Sequence, residues 1–340
     1  MLDLQKTISA FKTGDIRALS RLISLVESRD SESLYLMASL YKEGAKGSCL
    51  GITGPPGAGK STLVDHLIQY RRSQGKTVGV LAIDPSSPFT GGAVLGDRIR
   101  MQQHAADAGV YIRSLGSRGA HGGLSVATRD LVRLYQAFGF DEIIVETVGV
   151  GQTELDIMQL ADTTIVVMVP EAGDTIQTMK AGLTEIADLF IVNKSDRPGA
   201  TAMVTALQQM IELGEGRVRV QEHDRQHRMI QTSPTGGEED TIWHIDVLQT
   251  IATKNKGIEE VWSKVDAHRA WRVTHPEDVI EVQNRRDAEF AALATEHFGR
   301  WLQEQADSTA LTHITTQLHA GTLNPYTAVE KLYTHIGLKS

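Results

Sequence analysis

The chain has 340 residues, a hydrophobic fraction of 41% and a formal net charge of −8 at pH 7. This length holds one large α/β domain with helical extensions, or two domains, and the acidic balance argues against a nucleic-acid-binding protein. The single cysteine, Cys49, excludes an intramolecular disulfide and any metal site built from several cysteines.

The first 45 residues are predicted to be helical, because Leu4, Ile8 and Phe11 recur at helical spacing. The N-terminus lacks the apolar core of a signal peptide. No apolar run in the sequence reaches the about 18 residues that a membrane span needs. We therefore expect a cytoplasmic protein that does not cross a membrane. A mitochondrial matrix location stays open for a eukaryotic source, although no transit peptide is seen.

Seven strand-like runs follow, and helical patterns separate most of them. They lie at 49–53, 78–83, 110–114, 142–147, 163–169, 188–193 and 246–251. Near-continuous runs of Val, Ile and Leu are typical of a parallel sheet that is buried on both faces. The predicted fold class is α/β, with a mainly parallel sheet covered by helices on both faces. A ligand is expected where the strands end.

Three parts are predicted along the chain. A helical extension, 1–45, precedes the sheet-containing domain, 46–275. Within that domain the polar, turn-rich residues 214–244 predict a surface insertion, and whether it is ordered stays open. Residues 276–340 return to helical spacing and are predicted to form a C-terminal helical arm.

Residues 54–61, GPPGAGKS, match the phosphate-binding loop pattern GxxxxGK[ST] between a predicted strand and a predicted helix. Glycines let the backbone turn its N–H groups toward phosphate oxygens, and the helix N-terminus favours an anion. Lys60 is predicted to reach the β- and γ-phosphates and to serve catalysis, and the Ser61 hydroxyl to ligate magnesium. The nucleotide-binding residues predicted here are Gly54, Pro55, Pro56, Gly57, Ala58, Gly59, Lys60, Ser61 and Thr62. The fold is therefore predicted to be that of a P-loop NTPase.

A guanine-reading motif, NKxD, is matched by NKSD at 193–196, where a predicted strand ends. The Asp196 carboxylate is suited to accept hydrogen bonds from N1–H and N2–H₂ of guanine, a donor pair that adenine lacks. Asn193 and Lys194 are predicted to brace the loop and flank the base. After the last strand, the backbone N–H of Ala252 is predicted to donate to guanine O6.

The segment ETVGVGQTE, at 146–154, places an acid and a glycine at the end of another strand. We expect Glu146 near magnesium, which accepts carboxylate oxygens, and Gly149 near the γ-phosphate. Val150 stands where many GTPases place a water-orienting glutamine. We therefore predict slow hydrolysis by the isolated protein, with Asp97 as the candidate for the water-orienting role.

The Gly-, Pro- and Ser-rich segment 84–101 is typical of a loop that changes shape. Asp84 and Asp97 are candidate magnesium partners. Arg100 is a candidate for a contact to phosphate or to Asp97. Ordinary capping and surface ion pairing remain the alternative for all three.

A further polar set follows the strand 163–169. Asp174 is suited to cap the next helix, and Gln177 and Lys180 lie near each other on it. On sequence physics alone this is an exposed polar face.

Six motifs together resemble, in order and spacing, the MeaB/ArgK family of GTPases. They are GITGPPGAGKSTL, AIDPSSPFTGGAVLGDRIRM, ETVGVGQTE, AGDTIQTMKAGLTEIADL, NKSD and GIEEVW. The resemblance covers nearly the whole chain. It implies a GTPase that binds GTP, GDP and Mg²⁺ and acts as the chaperone of an adenosylcobalamin-dependent acyl-CoA mutase. Methylmalonyl-CoA mutase is the best-known client, and adenosylcobalamin is carried by the mutase rather than by this chain.

The resemblance implies further roles. The GTPase gates loading, protection and reactivation of the mutase cofactor, and the mutase accelerates GTP hydrolysis. A homodimer joined through the C-terminal helices is implied. Residues 171–188 correspond to an extra switch, so that Asp174, Gln177 and Lys180 communicate with the mutase. Asp84, Asp97 and Glu146 correspond to the acids around magnesium.

Other readings stay open at this point. One is a metallochaperone GTPase for a nickel or cobalt enzyme, against which the single cysteine and scattered histidines argue. Another is a small-molecule kinase that uses ATP, which NKSD disfavours. A third is a protein-targeting GTPase of the signal-recognition type. Among mutases, those acting on isobutyryl-CoA, 2-hydroxyisobutyryl-CoA and ethylmalonyl-CoA remain alternatives to methylmalonyl-CoA mutase.

Overall fold

The computed structural model describes most of the chain. The described residues are 2–28, 31–41, 47–84, 104, 106–116, 126–147, 157, 160–171, 186–226, 243–275, 277–304 and 309–335. Contacts divide the chain into two units, Met1–Asp278 and Val279–Ser340.

A seven-stranded sheet forms the centre of the first unit. Its strands are β1 (Ser48–Thr53), β2 (Val78–Asp84), β3 (Val110–Gly116), β4 (Glu142–Thr147), β5 (Thr163–Met168), β6 (Leu189–Val192) and β7 (Asp246–Gln249). Neighbouring strands all pair in parallel, in the order β3-β2-β4-β1-β5-β6-β7. The predicted parallel sheet is therefore confirmed, and each strand end lies within two residues of its predicted position.

Helices occupy most of the remaining described chain. They are α1 (Leu2–Lys12), α2 (Ile16–Ser28), α3 (Ser31–Tyr41), α4 (Lys60–Ser73), α5 (Val126–Phe138), α6 (Ala200–Gln226), α7 (Ile258–Thr274), α8 (Glu277–Glu304), α9 (Thr309–His319) and α10 (Pro325–His335). The predicted N-terminal helices are thus present.

The two faces of the sheet carry separate apolar cores. Leu50 and Ile52 of β1 pack with α4, α6 and α7 on one face. Cys49 of the same strand packs on the other face, with α1, α2, α3 and α5. This alternation follows from the two-residue period of a strand. Helices cover both faces, as predicted.

The strand order reverses direction at β1, which lies between β4 and β5. The chain leaves β1 toward β2 on one side and later reaches β5 on the other. In open parallel sheets such a switch point, at the carboxyl ends of the strands, is the usual ligand site. Thr53 and Thr147 mark it, because the Thr147 hydroxyl donates to Thr53 Oγ1 across 2.8 Å and both side chains are buried.

A buried charge cluster joins α4, β4 and α7 near the opposite edge of the sheet. Glu142 is the first residue of β4. Its Oε2 accepts a hydrogen bond from Arg269 Nη1 at 2.9 Å, and its Oε1 lies 3.1 Å from Arg71 Nε. Burial raises the pKa of Glu142, and the charges of Arg269 and Arg71 oppose that rise. The Arg71 guanidinium also lies 4.0 Å from the ring centre of Trp262. These contacts fix α7 against α4, the helix that begins at the phosphate loop.

Helix α6 extends to Gln226 and so continues into the predicted insertion, 214–244. Residues 217–226 contain no proline or glycine, and residues such as Arg, Gln and Glu have good helix propensity. At the other end of the insertion, Trp243 Nε1 donates to the carbonyl of Asp188 at 2.9 Å.

In the second unit, the described residues lie mainly in α8, α9 and α10. Asn324 Oδ1 accepts the Thr327 N–H at 2.9 Å and so caps α10. Phe298 and Trp301 stack with ring centres 5.7 Å apart and remain partly exposed. Among the described residues of the whole chain, no helix is both long enough and apolar enough to cross a membrane.

Candidate nucleotide-binding site

The phosphate loop runs from Gly54 to Gly59, between β1 and α4, as predicted. Gly54 has φ 136°, and a Cβ there would lie 2.1 Å from the carbonyl oxygen of Val167. Gly59 has φ 85°, and its Cβ would lie 2.6 Å from Asn193 Nδ2. Side chains are strained at such φ values and would collide here. These two glycines therefore let the loop pass close to β5 and to the NKSD loop.

The side chain of Lys60 is buried and lies within the loop. Its Nζ donates to the carbonyl oxygens of Gly54 at 2.7 Å and Pro55 at 3.0 Å. Only 6% of the residue is exposed, so these carbonyls compensate part of the desolvation of the ammonium. A fixed cation beside the N-terminus of α4 favours an anionic ligand.

Ser61 and Glu146 meet at the same edge of the sheet. Ser61 Oγ donates to Glu146 Oε1 at 2.7 Å, and both residues are buried. Ser61 belongs to the first turn of α4, whereas Glu146 pairs with Ile52 in the β4–β1 register. The predicted magnesium pair is thus adjacent.

A magnesium ion is implied by this class of site, and the donors present fit it. Hydroxyl and carboxylate oxygens are the ligands that Mg²⁺ prefers. Asp84 closes β2, at the same edge as Glu146, since Ile83 pairs with Thr147. The Asp84 side chain lies outside the described residues, and its contact with magnesium stays a prediction.

Asn193 links three loops of the site. Its Nδ2 donates to the carbonyl of Ala58 at 2.9 Å. Its Oδ1 accepts the Thr250 hydroxyl at 3.1 Å and the Ala252 N–H at 3.2 Å. The residue is 2% exposed, so this amide replaces water with three internal partners. The predicted bracing residue therefore joins the phosphate loop to the loop after β7.

Lys194 lies beside the phosphate loop as well. It has a φ of 56°, which few residues other than glycine adopt. Its Nζ donates to the carbonyl of Gly57 at 2.7 Å. The side chain therefore spans the gap between NKSD and the phosphate loop, and its contact with the base stays a prediction.

Asp196 is a partly exposed carboxylate at the end of the same loop. Lys254 Nζ lies 3.0 Å from Asp196 Oδ2. The hydrogen bond from Lys254 lowers the pKa of Asp196, so the carboxylate stays ionised and able to accept hydrogen bonds.

The Ala252 N–H donates to Asn193 Oδ1, so it already has a hydrogen-bond acceptor within the protein. Its proposed bond to guanine O6 stays a prediction. Thr250 and Lys254 also contact the NKSD loop, and no sequence motif identified them. Each lies two residues from Ala252 in the loop after β7, and this closeness to a predicted site residue could have indicated them.

Several predicted residues lie outside the described part of the chain. They are Asp97, Arg100, Gly149, Asp174, Gln177 and Lys180. Their predicted roles in catalysis, γ-phosphate sensing and switching remain predictions.

The fold and the site together define a P-loop nucleoside triphosphatase. The parallel sheet and the phosphate loop provide a site for phosphate groups at the carboxyl ends of the strands. The loop containing NKSD lies against the phosphate loop through Asn193 and Lys194.

Comparison with known proteins defines the family. Residues 19–306 match the family model described as "Methylmalonyl Co-A mutase-associated GTPase MeaB". The chain therefore belongs to the MeaB family and is a GTPase. GTPase ArgK of Escherichia coli strain K12 is 32% identical over 315 residues, which cover 92% of this chain and 86% of that protein.

Two further relatives support this assignment. A protein of Pyrococcus abyssi named as a GTPase is 47% identical over 266 residues, covering 78% of this chain and 76% of that protein. The mouse protein "Methylmalonic aciduria type A homolog, mitochondrial" is 33% identical over 213 residues, 63% of this chain and 47% of that protein.

A solved structure has the same fold. The crystal structure titled "LAO/AO transport system kinase" has a TM-score of 0.61 and 25% sequence identity, and covers 98% of this chain and 97% of that one.

Proposed function

We propose that this GTPase is the chaperone of an adenosylcobalamin-dependent acyl-CoA mutase, with methylmalonyl-CoA mutase as the preferred client. The family description links its GTPases to methylmalonyl-CoA mutase. The name of the mouse relative refers to methylmalonic aciduria. Adenosylcobalamin is held by the mutase, and this chain gates its loading, protection and reactivation.

The observation that carries the GTP-binding part is the position of Asn193. Its amide contacts the phosphate loop through Ala58 and the last loop through Ala252. One nucleotide lying along this edge reaches both the phosphate loop and Asp196. Its guanine N1–H and N2–H₂ then donate to the Asp196 carboxylate.

Hydrolysis requires water to attack the γ-phosphate in line with the leaving β-phosphate oxygen. Lys60 and the N–H groups of the loop neutralise charge on the phosphates, which is the main source of catalysis in such sites. Ser61, Glu146, Asp84 and Asp97 would hold a magnesium ion, which would supply further neutralisation of phosphate charge. Asp97 orients the water.

The intrinsic rate is proposed to be low, since Val150 replaces the glutamine that many GTPases use at this place. Binding of the mutase completes the catalytic arrangement through segments 84–101 and 171–188. Arg100, Asp174, Gln177 and Lys180 belong to these segments and transmit the nucleotide state.

The second unit is proposed to form the homodimer contact. Phe290 is 74% exposed, and Phe298 and Trp301 are 40% exposed on the same helix. Apolar side chains gathered on one helix are typical of a protein interface. Sedimentation of wild type and a Phe290→Ser/Trp301→Ser variant tests this, and an unchanged dimer contradicts it.

GTP hydrolysis with and without the mutase tests the proposed function. The purified protein is assayed alone and with the methylmalonyl-CoA mutase encoded by the same genome, with ATP and Lys60→Ala as controls. We expect slow, GTP-specific turnover that depends on Lys60 and rises many-fold with the mutase. A rate that no acyl-CoA mutase changes leaves the GTPase intact and overturns the chaperone role.

A further inference from the structure

Lys254 is the cation that contacts the guanine-reading carboxylate. Its Nζ lies 3.0 Å from Asp196 Oδ2, and the two side chains are 58% and 39% exposed. The residue comes from the loop after β7, whereas Asp196 follows β6, so the pair joins two loops that are 58 residues apart.

The backbone around Lys254 is tightly shaped. Residues Ala252–Lys254 form a single 3-10 turn, and the Lys254 N–H donates to the carbonyl of Ile251 at 2.9 Å. Ile251 and Lys256 exchange two backbone hydrogen bonds, of 3.2 and 3.3 Å, around that turn. The backbone that carries the Lys254 side chain is therefore fixed. Less conformational entropy is lost when the ammonium is held in one place.

The cation adjacent to Asp196 in sequence is directed elsewhere. Arg197 Nη1 lies 2.6 Å from Glu171 Oε1, beyond the end of β5. Arg197 therefore influences Asp196 only through its charge, and the hydrogen bond to the carboxylate comes from Lys254.

A carboxylate has about four lone-pair positions on its two oxygens. One ammonium on Oδ2 leaves positions on both oxygens for the two parallel donors of guanine. It also restricts rotation of the carboxylate plane, which is otherwise broad for an aspartate side chain. The side chain is therefore oriented before the base arrives, and less ordering is needed on binding.

We propose that Lys254 is a positioning residue for guanine selection, which acts by holding the Asp196 carboxylate toward the guanine N1–H and N2–H₂. This inference rests on the proposed role of Asp196 as the guanine-reading residue.

Two other roles for the same lysine predict different behaviour. If its ammonium only blocked Asp196, removing it would tighten guanine nucleotide binding. If it only steadied the loop or attracted phosphate, removing it would weaken all nucleoside diphosphates equally. Inosine diphosphate distinguishes these cases, because hypoxanthine keeps N1–H and O6 of guanine but lacks the N2 amino group.

The experiment compares the Kd values for GDP and inosine diphosphate by calorimetry in the full-length protein. The variants are Lys254→Met, which keeps an unbranched side chain one atom shorter and without the charge, and Lys254→Arg, which keeps the cation. Lys264→Met is the matched control, since Lys264 forms a similarly exposed pair with Asp246, 2.7 Å apart, at the start of β7.

We expect Lys254→Met to reduce the preference for GDP over inosine diphosphate by about two- to fivefold, the range that exposed ion pairs supply. Lys254→Arg should restore most of the preference, and Lys264→Met should keep it. Tighter GDP binding, or equal weakening of both ligands, overturns the inference.

Asp196→Asn tests whether Asp196 recognises guanine, on which the role of Lys254 depends. An amide presents a donor where guanine requires an acceptor, so this variant should prefer xanthosine diphosphate over GDP. Unchanged GDP affinity in Asp196→Asn would remove the guanine-reading role itself, whatever the Lys254 variants show.

Discussion

Ser61 Oγ donates to Glu146 Oε1 over 2.7 Å, which joins the first turn of the phosphate-loop helix to the end of β4. The two residues are 85 positions apart in sequence, and the parallel pairing of β1 with β4 brings them together. Because both side chains are buried, the hydroxyl and the carboxylate orient each other. We therefore expect this pair to preorganise the predicted magnesium site.

Replacing Glu146 by Gln should raise the Mg²⁺ concentration needed for half-maximal GTP hydrolysis by about 10- to 100-fold, as loss of a residue that orients metal ligands does. The side-chain volume is kept, but the negative charge is lost. A magnesium titration of the hydrolysis rate measures the effect.

Glu142→Gln is the control for that titration, because it lies on the same strand but within the cluster of Arg71 and Arg269. It should lower the free energy of unfolding and leave the magnesium dependence unchanged. Equal magnesium dependence in Glu146→Gln and wild type would mean that Glu146 does not contribute to magnesium binding.

Lys60→Ala should reduce GTP turnover by about 100-fold or more, the loss expected when one fixed group facing transition-state charge is removed. The ammonium is buried against Gly54 and Pro55, where nearby water does not replace it. Lys76→Ala is the matched control, since Lys76 is an exposed lysine just beyond α4. Steady-state turnover at saturating GTP measures both variants, and equal losses in the two would contradict the role of Lys60.

Asn193→Ala should lower the free energy of unfolding by about 1–3 kcal/mol, because partners at Ala58, Thr250 and Ala252 lose a buried hydrogen bond. It should also weaken GDP binding, since the phosphate loop and the last loop lose their link. Urea unfolding with and without GDP measures both effects.

Asn193→Asp refines this test. It keeps the acceptor for Thr250 and Ala252 but places an oxygen against the carbonyl of Ala58. GDP affinity that falls in Asn193→Ala but not in Asn193→Asp would mean that the contact with Ala58 is unimportant.

Stability in acid should depend on Asp107. Hydrogen bonds from Arg72, chiefly, and from the Gly109 N–H lower the pKa of Asp107 from 3.8 to about 2. Because the pKa of Asp107 is lower in the folded protein, the carboxylate stabilises the fold at pH values above its unfolded-state pKa. That stabilisation is lost as the pH falls from about 4 to about 2. A shift of this size corresponds to about 2 kcal/mol, which solvent screening at a side chain 32% exposed reduces to about 1 kcal/mol.

Unfolding of wild type and Asp107→Asn between pH 6 and 2 tests this contribution. The difference in unfolding free energy between them should be largest at pH 6 and should shrink toward pH 2. A difference that stays constant with pH would contradict the assignment.

The strands and the phosphate loop were predictable because their signals are local. Runs such as EIIVET and TTIVVM contain consecutive buried apolar residues, and the glycines of GPPGAGKS mark a loop whose backbone needs unusual torsion angles. The sequence predicted that Asn193 braces a loop, because the NKSD motif follows a strand and so lies at the same edge of the sheet as the phosphate loop. It did not predict the contacts with Ala58 and Ala252.

Other contacts depend on the folded arrangement and carry no local signal. Lys254 meets Asp196 only because β6 and β7 are neighbours, and a lysine beside a short turn is otherwise ordinary. Likewise, Arg269 reaches Glu142 across 127 positions. Helix α6 continued into residues 214–226 because polar composition alone does not end a helix.

The affinity of the mutase in each nucleotide state tests the central claim most directly. Binding of methylmalonyl-CoA mutase, loaded with adenosylcobalamin, is measured by calorimetry with GDP, with a non-hydrolysable GTP analogue and without nucleotide. Because a switch requires different affinities for the client in its two states, we predict that the GDP and GTP-analogue forms differ by at least about tenfold in Kd. Equal affinity in all three conditions, or no binding at all, would contradict a nucleotide-gated chaperone of this mutase.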